Sequence, residues 1–339
     1  MTKKMHFFYA GAAFVLAGTL SGTTALAQEK AEITITRQPS ILYLPTQIIE
    51  KQQLIEKQAA KLGVPNLKVN WVNFSGGGSQ TDAMLAGSID IVNTGTGNLL
   101  LLWDRTQGGV KGIVATSAQP VTLISRDPRI KTIKDYGPTD KIAVPTIRVS
   151  TQANILQIAA AQTFGPDEWS KLDANTVQLG HPDAAAALAN PKGEVASHFA
   201  APPFSYFELK NVPGAHIVLQ SADVFGSPLT QSQFFTTTKF ANANPKVIDA
   251  VKAATLEAID FIHKDTRGAL EIYKEMSKDK STMDDLLDMM KQPGMMDYIA
   301  APQGSMKYAA HMYRVGTLKT MPKAWTEYYL PIAHDLKGN

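Results

Sequence analysis

The chain has 339 residues, with Lys+Arg 33 against Asp+Glu 30 for a formal net charge of +3, 44% hydrophobic residues and no cysteine. The near balance of charge excludes a strongly basic nucleic-acid-binding surface, and the missing cysteine excludes disulfides, thiolate metal sites, a cysteine nucleophile and a lipid-anchored cysteine. A chain this long exceeds what one hydrophobic core usually serves, which points to two domains or lobes.

Lys3 and Lys4, the apolar stretch from Phe7 to Leu20, and Ala25-Leu26-Ala27 ahead of Gln28 form the tripartite pattern of a cleaved secretory signal. Gly11, Gly18, Ser21 and Gly22 interrupt a run already shorter than the roughly 20 apolar residues of a spanning helix. Residues 1–27 are therefore set apart from the fold, and the mature protein is expected free in the periplasm.

Glu32 to Thr36 alternates like a strand, and Thr46 to Leu62 carries apolar residues at helical spacing before Gly63. Leu67–Val72 reads as a second strand, Ser75 to Gly78 as a turn, Gln80 to Ala86 as a helix and Ile89–Val92 as a third strand. A helix is expected over 98–106, then a strand at Val121–Ser125, another at Ile142–Val144 and a long helix from Thr151 to Phe164. Val177–Leu179, the alanine-rich stretch 183–189, Glu194–Ser197 and Ile217–Leu219 repeat the β/α alternation. After Phe234-Phe235-Thr236 the pattern turns almost wholly helical, over 245–264, 266–276, 282–290 and 304–315. Two β/α blocks with crossings near Pro120 and Gln233 predict lobes of 28–121 with 235–339, and of 122–234, with a cleft between them.

Turns that leave strands and open helices supply the candidate site. Ser75, Gly76 and Gly77 offer free backbone N–H groups and a helix N-terminus to an anion, although a tight turn needs glycine too. The turn Thr94-Gly95-Thr96-Gly97-Asn98, with Gly95 and Thr96 as its site candidates, sits in the equivalent place after the third strand. Ser150, Thr151 and Gln152 open the helix 151–164 beside Arg148, either as ordinary N-caps or as ligand donors. His198 and Phe199 leave a later strand, and Tyr43 lies in the loop Pro39 to Pro45, either as a lid over a ligand or as core. No G-x-S-x-G, H-E-x-x-H or S-x-x-K pattern with its partner motifs occurs. No two histidines have zinc-ligand spacing beside a third donor, and Asp284, Asp285 and Asp288 read as a solvated helix face.

Three regions resemble the nitrate/taurine/sulfonate class of periplasmic substrate-binding proteins of ABC importers. Phe74 to Ile91 resembles the class's glycine turn followed by A-L-x-x-G-x-I-D, Lys131 to Val144 its I-x-x-x-x-D-L-x-G-K-x-I-A-V segment, and Tyr313 to Leu318 with Pro322 and Trp325 its C-terminal helix and tail. The resemblance implies an α/β type II periplasmic binding fold, two lobes each with a mixed sheet flanked by helices. It also implies a pocket at Gln38, Tyr43, Ser75 to Gly77, Gly95, Thr96, Ser150 to Gln152, His198 and Phe199.

The resulting expectation is a monomeric solute-binding protein, not an enzyme and without cofactor or metal. It closes by hinge motion on a small organic anion such as a sulfonate, with Arg148 or Arg37 as counter-charge, and delivers it to an ABC permease. A thiamine-precursor-like pyrimidine stacked by His198, Phe199 and Tyr43, or an enzyme on the same fold, are the competing expectations.

Overall fold

The computed structural model describes residues 1–2, 29–38, 40–74 and 76–339. The secretory-signal expectation on residues 1–27 and the site expectation at Ser75 therefore lie outside the described residues, apart from residues 1–2.

The chain opens with β1 (Glu32–Arg37), α1 (Leu44–Gln52), α2 (Leu54–Lys61), β2 (Lys68–Asn73), α3 (Gly77–Leu85), β3 (Ile91–Thr94), α4 (Thr96–Arg105) and β4 (Val110–Ser117). It continues through β5 (Thr122–Ser125), β6 (Lys141–Val144), α5 (Thr151–Phe164), β7 (Thr176–Gln178), α6 (His181–Ala189), β8 (Val195–Ala200), α7 (Phe204–Asn211), β9 (His216–Gln220) and α8 (Ser221–Phe225). It returns through β10 (Ser232–Thr237), α9 (Thr238–Ala243), α10 (Pro245–Lys264), α11 (Thr266–Ser277), α12 (Met283–Met290) and α13 (Ser305–Arg314).

Two five-stranded sheets result, ordered β2-β1-β3-β10-β4 and β7-β6-β8-β5-β9. In the first, β1 runs parallel to β2 and β3 while β10 is antiparallel to β3 and β4. In the second, β6 runs parallel to β7 and β8 while β5 is antiparallel to β8 and β9. The two sheets share one topology, and the antiparallel strand in fourth place of each is the one nearest a crossing of the chain. Helices cover the sheets, so β3 and β5 are buried along their whole length.

The two crossings run side by side. Gln231 donates its backbone N–H to the Ser117 carbonyl at 2.8 Å, and the register continues from Ser232 opposite Ser117. The expected boundary at residue 234 falls inside β10, a strand of the first sheet; the return crossing lies ahead of Ser232.

Three further features differ from the sequence reading. The helix expected over 46–62 is two helices, because Gln53 takes a left-handed conformation (φ 53°) that ends α1 before α2 begins. Strand β4 went unread in the sequence. The tail beyond Val315 is irregular rather than helical and holds to β4 through Gly112, which donates to the Tyr328 carbonyl and accepts from Leu330, each at 2.8 Å.

The first sheet packs on a core that includes Ile33, Ile35, Ile91 and Phe234 with the buried face of α10, where Val247, Val251, Ala254, Ala258 and Ile262 recur at helical spacing. A second apolar cluster is continuous across both sheets, joining Leu42, Leu99 and Phe235 to Leu123, Ile142, Ile155 and Phe199. The two halves therefore meet in a closed arrangement, with a small polar cavity between them.

Candidate functional site

Four helices begin at that cavity. Gly77 opens α3, Gly95 precedes α4, Ser150 and Thr151 open α5, and His181 opens α6; all line a space of about 40 Å3. Each α-helix leaves its first N–H groups without intrahelical partners and presents the positive end of its dipole. At α5 the Ser150 Oγ accepts from the Ala153 N–H at 3.3 Å, but Gly76, Gly95 and Gly180, the residues ahead of α3, α4 and α6, supply no side-chain cap.

The remaining wall comes from Gln38, Leu42 and Tyr43 after β1, Thr94 at the end of β3, Asn98 on α4, Pro145 and Thr146 after β6, Gln152 on α5, Ala201 after β8, and Gln231 at the return crossing. Among the described residues the lining contains no Asp, Glu, Lys or Arg. Its chemistry is that of neutral donors and aimed backbone amides.

These side chains are held by one another. The Gln38 amide donates from Nε2 to Tyr43 Oη at 2.6 Å and to the Asn93 carbonyl at 3.2 Å. Burial pushes the Tyr43 phenol well above its ordinary range, which keeps it a neutral hydroxyl. The Tyr308 hydroxyl of α13 donates to the Ser150 carbonyl at 3.3 Å, and the Asn154 amide donates to the carbonyls of Arg148 and Ser150 at 3.1 Å each. The start of α5 is thus fixed from both sides. Gly77 is required where it stands: a Cβ there would lie 2.4 Å from Thr94 Oγ1 and 2.7 Å from Asn98 Oδ1.

Of the expected site residues, Gln38, Tyr43, Gly77, Gly95, Ser150, Thr151 and Gln152 come together at the cavity. Gly76 stands just behind it, at the N-cap of α3. Four others do not. The Thr96 hydroxyl is turned away, 2.7 Å from the Thr230 carbonyl and 3.0 Å from Gln233 Oε1. Phe199 lies opposite Leu123 in the second sheet and is wholly buried in the core. His198 is also wholly buried, one residue behind the wall, with its Nδ1 2.6 Å from Glu208 Oε1.

Arg148 is the largest correction. Its side chain is 73% exposed, with Nε 3.4 Å from Asp173 Oδ2, and it does not line the cavity. The other expected counter-charge, Arg37, donates from Nε to Asn73 Oδ1 at 2.7 Å and pairs with Glu50. Neither guanidinium reaches the site.

Sequence reasoning missed Thr146, His181 and Gln231; the turn 94–98 does reach the cavity, but through Thr94, Gly95 and Asn98 rather than Thr96. His181 had a readable signal, since Gly180-His181-Pro182 after a strand is a helix start with proline in its first turn. Its ring nitrogen Nε2 lies 3.3 Å from the Gln152 amide, its Nδ1 2.9 Å from His198 Nε2, and Phe204 stacks on its face. Burial and the adjacent His198 hold the His181 ring well below its ordinary value, so it is a neutral imidazole.

Two lobes of one topology, linked by paired crossings and enclosing a polar cavity at converging helix starts, have the architecture of type II periplasmic binding proteins. Solved structures with this fold include the alkanesulfonate-binding protein SsuA from Xanthomonas axonopodis pv. citri bound to MOPS, at a TM-score of 0.69 and 17% identity over 87% of this chain and 96% of that one. The periplasmic aliphatic sulphonate binding protein SsuA from Escherichia coli matches at 0.66 and 18% identity, over 89% of this chain and 92% of that one. The periplasmic nitrate-binding protein NrtA from Synechocystis PCC 6803 matches at 0.66 and 15% identity, over 86% and 83%. No protein-family model and no curated protein sequence matches the chain.

Proposed function

We propose that this protein is the periplasmic solute-binding component of an ABC importer, capturing a small anion between its lobes and presenting it to a membrane permease. The observation that carries this reading is the convergence of four helix N-termini, three without side-chain caps, on a cavity with no charged side chain. Aimed N–H groups and helix dipoles stabilise negative charge there without a buried counter-ion, each charge-assisted bond contributing about 1.5–3 kcal/mol. An anion would also offset the several positive dipole ends that the closed arrangement brings together.

The sulfonate- and nitrate-binding proteins among the structural neighbours support a small oxyanion as the ligand. A cavity of about 40 Å3 has room for only a few water molecules, which favours a compact head group over a pyrimidine. Residues 1–27 would serve as the export signal. The lobes would comprise 28–121 with 232–339, and 122–231, closing about the two adjacent crossings.

Thermal unfolding of the refolded, ligand-stripped protein against sulfonates, nitrate, carboxylates and pyrimidines tests the reading. A ligand at a hundredfold its dissociation constant stabilises the native state by about 2.7 kcal/mol. Shifts confined to sulfonates or nitrate are the expected result; shifts confined to pyrimidines would overturn the anion assignment.

A further inference from the structure

A line of buried titratable groups leads away from the ligand cavity. From His181 Nδ1 it passes 2.9 Å to His198 Nε2, and from His198 Nδ1 2.6 Å to Glu208 Oε1. His198 is 0% and Glu208 3% exposed, and the second carboxyl oxygen, Glu208 Oε2, is buried with no partner. The free end of the line, His181 Nε2, is at the cavity beside Gln152.

A neutral imidazole carries one proton, so one choice at the Glu208 end sets every other. When Glu208 is a carboxylic acid its O–H donates to His198 Nδ1, His198 Nε2–H donates to His181 Nδ1, and His181 is left with Nε2–H at the cavity. When Glu208 is a carboxylate it accepts from His198 Nδ1–H, His198 Nε2 accepts from His181 Nδ1–H, and His181 presents a lone pair. The first state offers an anion a donor; the second repels it. As placed, the Gln152 amide nitrogen lies 3.3 Å from His181 Nε2, the contact that suits a lone pair there; the donor state requires the amide turned over, with its oxygen to the ring.

We propose that protonated Glu208 acts through His198 as a remote positioning residue, holding His181 in the tautomer that donates Nε2–H to a small oxyanion in the cavity. The proposal rests on the small-anion reading and names the side chain that recognises the anion in place of the absent arginine. Burial pushes the Glu208 carboxyl up to about 9 and His198 down to about 3, so the contact is a neutral hydrogen bond rather than an ion pair.

The surroundings leave Glu208 in control. Tyr273 and Asp279 face it across a groove that Phe204 and Phe207 also line; of the elements packed against α7, β5 (Thr122–Ser125) has no titratable side chain and α6 carries, besides His181, the exposed Asp183. Lys210, on the same helix, is paired with Asp285. On the cavity side the titratable lining group besides His181 is Tyr43.

Imidazole nitrogen chemical shifts of the isotopically labelled protein, with calorimetry using methanesulfonate and nitrate as probes, test the assignment. At neutral pH His181 is expected with Nε2 protonated and Nδ1 bare. Above about pH 9 the tautomer reverses and probe affinity falls about tenfold, the loss of one charge-assisted donor. Glu208→Gln, whose amide N–H replaces the acid O–H, keeps tautomer and affinity through that range; Glu208→Leu loses about tenfold at neutral pH. His181 protonated on Nδ1 in the wild-type protein at neutral pH would overturn the proposal, and needs no variant to fold. So would equal affinities in wild type and Glu208→Leu. If the tautomer is as expected but neither probe binds, the small-anion reading itself falls, and the ligand role of the relay with it.

Discussion

A methyl group on Gly97 would lie 2.3 Å from the carbonyl oxygen of Val149. Gly97 stands in the first turn of α4 and Val149 just ahead of α5, so the two halves of the molecule touch backbone to side-chain position where the cavity closes. Tyr308 Oη, at 2.8 Å from the same point, leaves no room to slide aside. Gly97→Ala is therefore expected to hold the lobes apart while leaving each sheet intact. Ligand affinity should fall at least about tenfold and small-angle scattering should show a larger radius of gyration, with unchanged far-ultraviolet dichroism. Wild-type affinity in this variant would mean that ligand binds without this contact.

Arg148 should be dispensable. An exposed guanidinium 3.4 Å from Asp173 contributes at most about 1 kcal/mol as a surface pair, and it faces away from the cavity. Arg148→Ala is expected to change anion affinity by less than about twofold in calorimetry; a tenfold loss would place the arginine in the open-state encounter with ligand.

The contrast between Arg148 and His181 shows what a linear reading can reach. Alternating and amphipathic segments such as Glu32–Arg37 and Pro245–Lys264 were legible because one face of each meets the core. The glycine turns at Gly77 and Gly95 were legible because a strand-to-helix turn has few solutions. Side-chain direction was not. Arg148 adjoins the site in sequence, but its backbone is left-handed (φ 63°) and turns the side chain to solvent. His181 is recruited only because β7 lies beside β6, a pairing no local pattern encodes. The break at Gln53 likewise reflects tertiary packing of α1 and α2 against α10, which overrides helix propensity.

Gln233 explains why Thr96 is structural. The Gln233 amide is wholly buried, donates from Nε2 to the Thr94 carbonyl at 2.6 Å, and accepts at Oε1 near the hydroxyls of Thr96 (3.0 Å) and Tyr329 (3.4 Å). It ties β10 to the start of α4 and to the tail. Gln233→Leu keeps the volume but strands a carbonyl and weakens two hydroxyl contacts, at a cost of about 2–4 kcal/mol. The urea midpoint should drop with an unchanged slope; a neutral result would show that water replaces the amide.

Stability should peak near neutrality and fall on both sides for different reasons. Burial holds His198 down to about 3 and, with Arg314 adding repulsion, His311 down to about 4, against 6.5 when free. The native state thus refuses protons that the unfolded chain accepts, so this stabilisation is complete above about pH 6.5 and is lost as pH falls toward those values. Glu208 works in the opposite sense. Its carboxyl, pushed up to about 9 from 4.5 by burial, keeps a proton that the unfolded chain releases. Its contribution is complete below about pH 4.5 and is lost as pH rises to about 9. On the alkaline limb the unfolding free energy should therefore decline by up to about 1.4 kcal/mol per pH unit, read from urea midpoints across the range. Glu208→Gln should flatten that limb, steepen the rise between about pH 4.5 and 6.5, and leave the fall below about pH 4.5 unchanged. A flat alkaline limb in the wild-type protein would mean that Glu208 is already ionised in the folded state at neutral pH.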